Sequence, residues 1–313
     1  MAEPLLRTVT RTTGANAALK DGRVQPRGSS FAFEEVPVLV QAFRRMVRGL
    51  EFDVCEMALT TYLVAREHGV AFTALPVPLV RAFHHGAVQV LAGSDVRSPR
   101  DLEGRRVGVN RGYTVTTGVW ARAVLAQEHG VDLDRVTWVL SGDEHVEQYV
   151  PPANVVPAPP GRGLEELLRS GELAAVIGAD LDGPDVVPLL HDPEEAGFAA
   201  LRSRGSYPIN HVVVVRDELL AARPELAAQV FEAFAEAKRL YVEALRAGQG
   251  VTAADRTYRR VLETTGRDPL PYGLEPNRAV LEELLRSAVD QHILARPVRL
   301  EDVFAAGSRE LVG

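Results

Sequence analysis

Cysteine and lysine are scarce in this chain of 313 residues. The single cysteine, Cys55, excludes an internal disulfide and any metal site built from cysteines alone. The only lysines, Lys20 and Lys238, leave few positions at which pyridoxal phosphate could form its Schiff base. The signatures GxGxxG, HExxH and GxSxG and the P-loop are also absent, so the commonest nucleotide, zinc-protease and hydrolase motifs are excluded.

Long apolar runs and basic clusters are missing as well. No segment approaches the roughly 18 to 20 apolar residues of a membrane span. The N-terminal stretch MAEPLLRTVTRTTG lacks the features of a secretory signal. Basic residues number 35 and acidic residues 42, which gives a net charge of −7. We therefore expect neither nucleic acid nor a membrane as a partner, and we predict a cytoplasmic location.

The apolar pattern that is present predicts alternating strands and helices. Hydrophobic residues make up 46% and charged residues 25%, as in soluble globular proteins. The segment VPVLVQAFRRMVRGL has helical spacing, and EFDVCEM, FTALPV and HHGAVQVLA are strand candidates around the helix MALTTYLVAREHG. This order predicts a mostly parallel sheet covered by helices. The apolar helix faces suit a core or a homo-oligomer interface equally well.

A second unit is expected to begin near SPRDLEGRRVGV. It continues with the polar loop NRGYTVTTG, a helix, the strand RVTWVL, the edge segment VPPANVVPAPP, the helix GLEELLRSG and the strand LAAVIGA. The segment SDVRSPRDLEGRRVGV resembles the type 2 periplasmic-binding-protein fold. That resemblance implies two α/β domains with a ligand cleft between them, domain one from 1–93 and 212–313 and domain two from 94–211.

Several motifs in the same order resemble the 4,5-dihydroxyphthalate decarboxylase family. They are EFDVCEMALTTYL, RAFHH, GRRVGV with the following tyrosine and VWAR, YPINH, and PYGLEPNRAVLEELL. The resemblance implies a decarboxylase (a carboxy-lyase) that acts without a cofactor on a small anionic, hydroxylated aromatic acid.

The segment RAFHH contains the main catalytic candidate. If it is extended, Arg81 and His85 share one face and His84 points to the other. A histidine suits proton delivery to the ring, and the resemblance places the family's histidine at His85. Arg81 could hold a carboxylate that stays on the substrate, and a surface salt bridge is its ordinary alternative.

The other candidates lie where ligands usually bind in open α/β sheets, beyond the carboxyl ends of strands. Glu56 could accept hydrogen bonds from phenolic hydroxyls or orient a histidine, or it could simply favour a helix start. Thr116 or Thr117 could cap a helix whose N-terminus binds a carboxylate, or act as an ordinary cap. The remaining candidates are His211 as a catalytic residue and Thr60, Asn110, Tyr113 and Asn210 as substrate-binding residues. Glu144 and His145 are too few to indicate a metal site.

Three segments depart from the family pattern. An Arg-His pair is usual where this chain has His84-His85, acidic and tyrosine residues are usual where it has TTGAN, and 110–112 reads Asn-Arg-Gly. These departures leave the substrate open. They also leave two alternatives: a non-enzymatic small-anion-binding protein of the ABC-transporter type, and another lyase or isomerase that acts on aromatic acids.

Overall fold

The computed structural model describes residues 3–181 and 183–313. The chain forms two compact units: the first comprises Met1–Arg81, Ile209–Glu282 and Val298–Gly313, and the second comprises Ala82–Pro208 and Glu283–Pro297. The strands are β1 (Leu5–Val9), β2 (Ser30–Phe33), β3 (Val54–Ala58), β4 (Phe72–Arg81), β5 (Val88–Leu91), β6 (Arg106–Val109), β7 (Thr137–Leu140), β8 (Val155–Pro157), β9 (Ala175–Ile177), β10 (Val186–Pro188) and β11 (Ile209–Arg216).

The α-helices separate the strands along most of the chain. They are α1 (Ala17–Lys20), α2 (Leu39–Gly49), α3 (Leu59–Glu67), α4 (Thr116–His129), α5 (Leu164–Arg169), α6 (Pro193–Arg204), α7 (Asp217–Ala222), α8 (Leu226–Arg246), α9 (Ala253–Thr265), α10 (Arg278–Asp290) and α11 (Leu300–Val303). In the part of the chain described, no helix is long and apolar enough to cross a membrane. The same residues contain no group of three or more acidic, histidine or cysteine side chains placed to hold a metal ion.

The sheet of the first unit has the strand order β2-β1-β3-β11-β4. Strand β1 is parallel to β2 and β3, whereas β11 is antiparallel to both β3 and β4. The ends of β1, β3 and β4 therefore meet the beginning of β11 at one edge, which we call the carboxyl edge. Every residue of β3 is buried, and both α2 and α3 pack against this strand. The same cover explains the buried apolar run 212–215 in β11.

The sheet of the second unit has the order β10-β5-β9-β6-β7-β8. Strands β6 to β9 are parallel, and β5 is antiparallel to β9 and β10. Its core includes a cluster in which α5 leucines pack against the sheet, formed by Val139, Leu164, Leu167, Leu168, Leu173 and Val176. The proline-rich segment supplies β8 at the end of the sheet, where a missing backbone donor is tolerated.

The bounds of the units differ from the expected 1–93, 212–313 and 94–211. Residues 82–93 lie in the second unit because β5 hydrogen-bonds to β9 and β10. Residues 209–211 lie in the first, since Ile209 pairs with Arg81 and His211 pairs with Ala58 and Val80. Residues 283–297, which comprise the second part of α10 and the turns after it, also belong to the second unit.

Candidate functional site

A buried carboxylate and a histidine meet at the carboxyl edge of the first unit. Glu56 lies opposite Val213, and His211 lies opposite Ala58, so Glu56 and His211 are diagonal neighbours on one face of the sheet. The Oε1 atom of Glu56 is 2.6 Å from Nδ1 of His211. Because a carboxylate only accepts hydrogen bonds, Nδ1 carries a proton and donates it. Glu56, which is 1% exposed, thereby fixes the tautomer and the orientation of the ring.

The second oxygen of Glu56 is held by the loop that follows β1. The backbone N–H of Arg11 donates to Oε2 at 2.7 Å. The buried Asn16 keeps this loop folded, since its Nδ2 donates to the carbonyl of Arg11 at 2.7 Å and to Oγ1 of Thr10 at 3.1 Å. Lys20 donates to the carbonyl of Thr10 at 2.8 Å and braces the same turn. Asn16 of the TTGAN segment thus holds, through its side chain, the Arg11 backbone that orients the carboxylate.

The other ring nitrogen of His211, Nε2, is not engaged by Glu56. The edge of the His211 ring meets the Phe43 ring, with centroids 5.2 Å apart and planes at 90°. The side chain is 16% exposed. Among the described residues, Nε2 makes no hydrogen bond, because the one polar contact of the ring is to Glu56 through Nδ1. The arrangement is therefore a histidine with one nitrogen held and one available for proton transfer.

Three other predicted residues lie at the same edge. Arg81 ends β4, is 9% exposed, and donates through Nη2 to Oδ1 of Asn277. Asn277 in turn donates to the carbonyls of Pro271 and Gly273, at 2.8 Å each. Thr60 is buried in the first turn of α3, and Asn210 is buried in β11 beside His211. The role of Arg81 as a carboxylate ligand stays a prediction.

The segment after Arg81 is not a strand, so the parity that paired Arg81 with His85 has no basis. Strand β4 ends at Arg81, and the chain turns where the N–H of Ala87 donates to the carbonyl of His84. Both histidines are buried, at 4% for His84 and 3% for His85. The expected separation of His84 and His85 onto opposite faces therefore has no basis, because a turn lacks the alternation of a strand.

His85 is instead part of an ionic cluster in the second unit. Its Nε2 lies 3.2 Å from both oxygens of Glu128, which also accepts a hydrogen bond from Arg204 at 2.5 Å. Burial raises the pKa of Glu128, but the hydrogen bonds from His85 and Arg204 outweigh it and leave the pKa below its ordinary value. Nδ1 of His85 is buried and has no hydrogen-bond partner in the described chain.

The structure does not bring His85 together with the predicted anion site. Glu128 lies near the end of α4, and Thr116 lies at its start. At 1.5 Å per residue these positions are about 18 Å apart along the helix. His85 therefore contacts a different part of the second unit from the residues expected to bind the substrate with it.

The start of α4 also differs from the prediction. The cap position is Val115, whose side chain makes no capping hydrogen bond, and Thr116 and Thr117 are the first two helical residues. The expectation that a threonine caps the helix was therefore wrong, because Thr116 and Thr117 lie inside the helix and Val115 occupies the cap position.

The loop before α4 binds a carboxylate of its own chain. Glu144 accepts hydrogen bonds from the N–H groups of Tyr113 and Thr114, and from Oγ1 of Thr114 at 2.5 Å. A Cβ on Gly112 would lie 2.5 Å from an oxygen of Glu144, so a larger residue here would displace that carboxylate. Nδ2 of Asn110 donates to the carbonyl of Gly178 at 2.8 Å and joins the ends of β6 and β9. The carboxylate of Glu144 is thus hydrogen-bonded to the backbone of the loop before α4.

Sequence reasoning missed the residues that support these sites. Asn277, which lay within the quoted motif PYGLEPNRAVLEELL, Glu128 and the backbone of Arg11 were not candidates, because their partners lie 196, 43 and 45 residues away. Arg122 lay within the quoted motif VWAR, but its complete burial is a property of the folded unit alone.

Solved structures with this fold resemble the whole chain. The match to the desulfurization enzyme DszB covers 96% of this chain and 96% of that protein, with 15% identity and a TM-score of 0.57. The match to the periplasmic aliphatic sulphonate binding protein SsuA of Escherichia coli covers 98% of this chain and 99% of that protein, with 12% identity and a TM-score of 0.54. The CA3427 gene product of Candida albicans is described as having the generic periplasmic binding protein fold. Its match covers 99% of this chain and 99% of that protein, with 14% identity and a TM-score of 0.55. These likenesses establish a periplasmic-binding-protein-like fold.

Curated relatives carry the functional information. No protein-family model matches the chain. The 4,5-dihydroxyphthalate decarboxylase of Comamonas testosteroni is 30% identical over 315 aligned residues, covering 93% of this chain and 93% of that protein. The protein of the same name from Pseudomonas putida is 36% identical over 57% of this chain and 74% of its own length. The chain therefore belongs to the 4,5-dihydroxyphthalate decarboxylase family and is an enzyme of the carboxy-lyase class.

Proposed function

We propose that this enzyme removes one carboxylate from a hydroxylated aromatic acid of the 4,5-dihydroxyphthalate type, and that His211 delivers the proton to the ring. The names of the two curated relatives support the substrate class. The observation that carries the proton donor is the Glu56–His211 pair, in which Nδ1 is held at 2.6 Å and the side chain remains 16% exposed.

The chemistry requires one proton for each carboxylate lost. Nε2 of His211 gives a proton to the ring carbon that bears the leaving carboxylate, while the ring hydroxyl para to that carbon donates electron density to the ring. The bond between the ring carbon and the carboxylate then breaks, its electron pair restores the aromatic ring, and carbon dioxide leaves. The imidazole regains a proton from water. The product is the corresponding dihydroxybenzoate.

Glu56 has the role of a positioning residue. Its carboxylate accepts the hydrogen bond from Nδ1 and holds the ring of His211 in one orientation, as a carboxylate commonly does for a catalytic histidine. The N–H of Arg11, at 2.7 Å, keeps the carboxylate in place while the ring changes its charge.

His211 is a better proton donor than His85 on geometric grounds. His85 is 3% exposed, and its Nε2 is already shared between the two oxygens of Glu128. His211 has a free nitrogen and a greater exposed fraction. A ring without access to the substrate contributes nothing to proton transfer, whatever its basicity.

The test compares His211→Gln with His85→Gln. Carbon dioxide release from 4,5-dihydroxyphthalate is measured together with binding of phthalate, which lacks the ring hydroxyls. We expect His211→Gln to lower kcat about 10²- to 10⁴-fold with phthalate binding retained, and His85→Gln to keep turnover. The reverse result would assign the proton to His85. Binding of the dihydroxy acid by the wild type without any product would favour the small-anion-binding alternative for this substrate.

A further inference from the structure

Arg11 is an exposed cation in the loop that orients Glu56. The loop follows β1 at the carboxyl edge of the first unit, and the backbone N–H of Arg11 donates to Oε2 of Glu56 at 2.7 Å. The other oxygen of Glu56 lies 2.6 Å from Nδ1 of His211. A single carboxylate therefore separates the backbone of Arg11 from the ring that we propose as the proton donor.

The backbone around Arg11 is fixed on the body of the first unit. Its carbonyl accepts from Nδ2 of the buried Asn16 at 2.7 Å. Further along the loop, Gly14 packs so closely against the Tyr241 ring of α8 that a Cβ would have no room. The hydroxyl of Tyr241 in turn donates to Asp255 of α9. The position of the Arg11 backbone is therefore set before a ligand binds, which lowers the entropic cost of binding.

The guanidinium of Arg11, in contrast, has no partner within its own chain. Among the described residues the side chain forms neither a hydrogen bond nor an ion pair, because both printed contacts of this residue belong to its backbone. Neighbouring cations are paired: Arg7 of β1 with Glu34, and Lys20 at the end of α1 with Glu35. Arg11 therefore leaves an uncompensated positive charge beside the proposed proton donor.

An aromatic acid that binds at this edge requires such a charge. The Glu56 carboxylate repels an anionic substrate, and a cation next to it offsets that repulsion. A guanidinium also matches a carboxylate in shape, since it can donate two parallel N–H bonds. Arg81, the arginine predicted for this contact, is 9% exposed and donates to Asn277, so its guanidinium already has a buried partner.

We propose that Arg11 binds the carboxylate that stays on the aromatic ring, and that it thereby selects aromatic diacids as substrates. The inference rests on the proposed function, because it assigns a part of the same substrate. The remaining carboxylate is present in substrate and product alike, so this contact contributes to binding more than to the chemical step. Arg11 has a role separate from that of Glu56 and His211, which act on the proton.

The test measures binding without turnover. Isothermal titration with phthalate, and with uncharged catechol, is carried out on the wild type, Arg11→Gln, Arg11→Lys and the control Arg7→Gln. The control removes the same charge from β1, four residues earlier, where the side chain is 58% exposed. We expect Arg11→Gln to raise the Kd for phthalate about 10- to 50-fold and to leave catechol binding unchanged.

The two other variants separate charge from geometry. Arg11→Lys keeps the charge and loses the paired donors, so its Kd for phthalate should lie between those of the wild type and Arg11→Gln. Arg7→Gln should stay within about twofold of the wild type, because an exposed charge farther along the strand is screened by solvent and salt. In turnover, Arg11→Gln should raise KM for 4,5-dihydroxyphthalate far more than it lowers kcat.

Thermal unfolding checks that each variant is folded, which we expect because the loop contacts of Arg11 are made by its backbone. An unchanged Kd for phthalate in folded Arg11→Gln would overturn the proposal. Equal weakening of catechol would also overturn it, since that result indicates a displaced loop, and so would equal weakening of phthalate in Arg7→Gln. Failure of the proposed function gives a different result: phthalate affinity that depends on Arg11, with no carbon dioxide released from 4,5-dihydroxyphthalate, would support this contact and exclude that substrate.

Discussion

Replacing Glu56 by Gln and, separately, Glu128 by Gln distinguishes the two histidine–carboxylate pairs. The Glu56 carboxylate is 1% exposed and accepts from Arg11 at 2.7 Å and from His211 at 2.6 Å. A glutamine can still accept from the Arg11 N–H, but its NH₂ group then faces Nδ1 of His211. The imidazole must accept there, so its tautomer changes and its protonated form loses a charged partner.

The magnitude follows from these two contacts. Hydrogen bonds to charged groups contribute about 1.5–3 kcal/mol each. Loss of this support for the protonated ring corresponds to about 10- to 100-fold, since 1.4 kcal/mol is a factor of ten. Misorientation of the ring adds to this, so we expect kcat for Glu56→Gln to fall about 10²- to 10⁴-fold. Phthalate binding should change by less than about threefold, because the proposed role of Glu56 is to position His211 and not to hold a carboxylate.

The assay is carbon dioxide release at saturating 4,5-dihydroxyphthalate, with thermal unfolding as the check on folding. Glu128→Gln removes the partner of His85 and should leave kcat within about twofold of the wild type. The reasoning is refuted if Glu56→Gln keeps full turnover, or if Glu128→Gln loses as much turnover as Glu56→Gln while both remain folded.

Three further predictions concern stability and reactivity. Burial raises the pKa of Glu128, but its hydrogen bonds outweigh burial and leave the pKa lowered. The wild type should therefore be more stable than Glu128→Gln by about 1–3 kcal/mol above about pH 4.3, and this difference should shrink as the pH falls through the folded-state pKa. Thermal unfolding from pH 7 to 3 measures it. Burial raises the pKa of the Cys55 thiol, so a thiol-reactive disulfide should label it only on unfolding; rapid labelling of the native protein would contradict this. A Cβ on Gly197 would lie 2.5 Å from the Phe83 ring, so Gly197→Ala should destabilise the protein by about 1–3 kcal/mol in denaturant unfolding, whereas the exposed Gly49→Ala should not.

The sequence pattern was sufficient for most of the fold. Long periodic segments such as Leu39–Gly49 and Leu226–Arg246 form the predicted helices, and apolar runs such as Val54–Ala58 form buried strands. The strands Ser30–Phe33 and Val186–Pro188 were not predicted. They are four and three residues long and form at sheet margins, where pairing rather than local preference determines structure.

The site was only partly predictable because its contacts are not local. Glu56 and His211 were both candidates, but their pairing depends on a register between strands 155 residues apart. The inference about His85 assumed that extended structure continues past Arg81, and it fails where β4 ends. Resemblance indicated which segments matter, whereas only the folded chain indicates which atoms meet.

Because the chain has only two lysines, acylation of their side chains can be followed at each position separately. Lys20, with its side chain 10% exposed, donates to Thr10, Thr12 and Glu35, and Lys238, 4% exposed, pairs with Asp268. Every other basic side chain apart from histidine is an arginine, which amine-specific reagents do not modify. Acylation of Lys20 therefore measures how often the turn that orients Glu56 opens to solvent. A single peptide mass shift would follow that motion with no probe added to the protein.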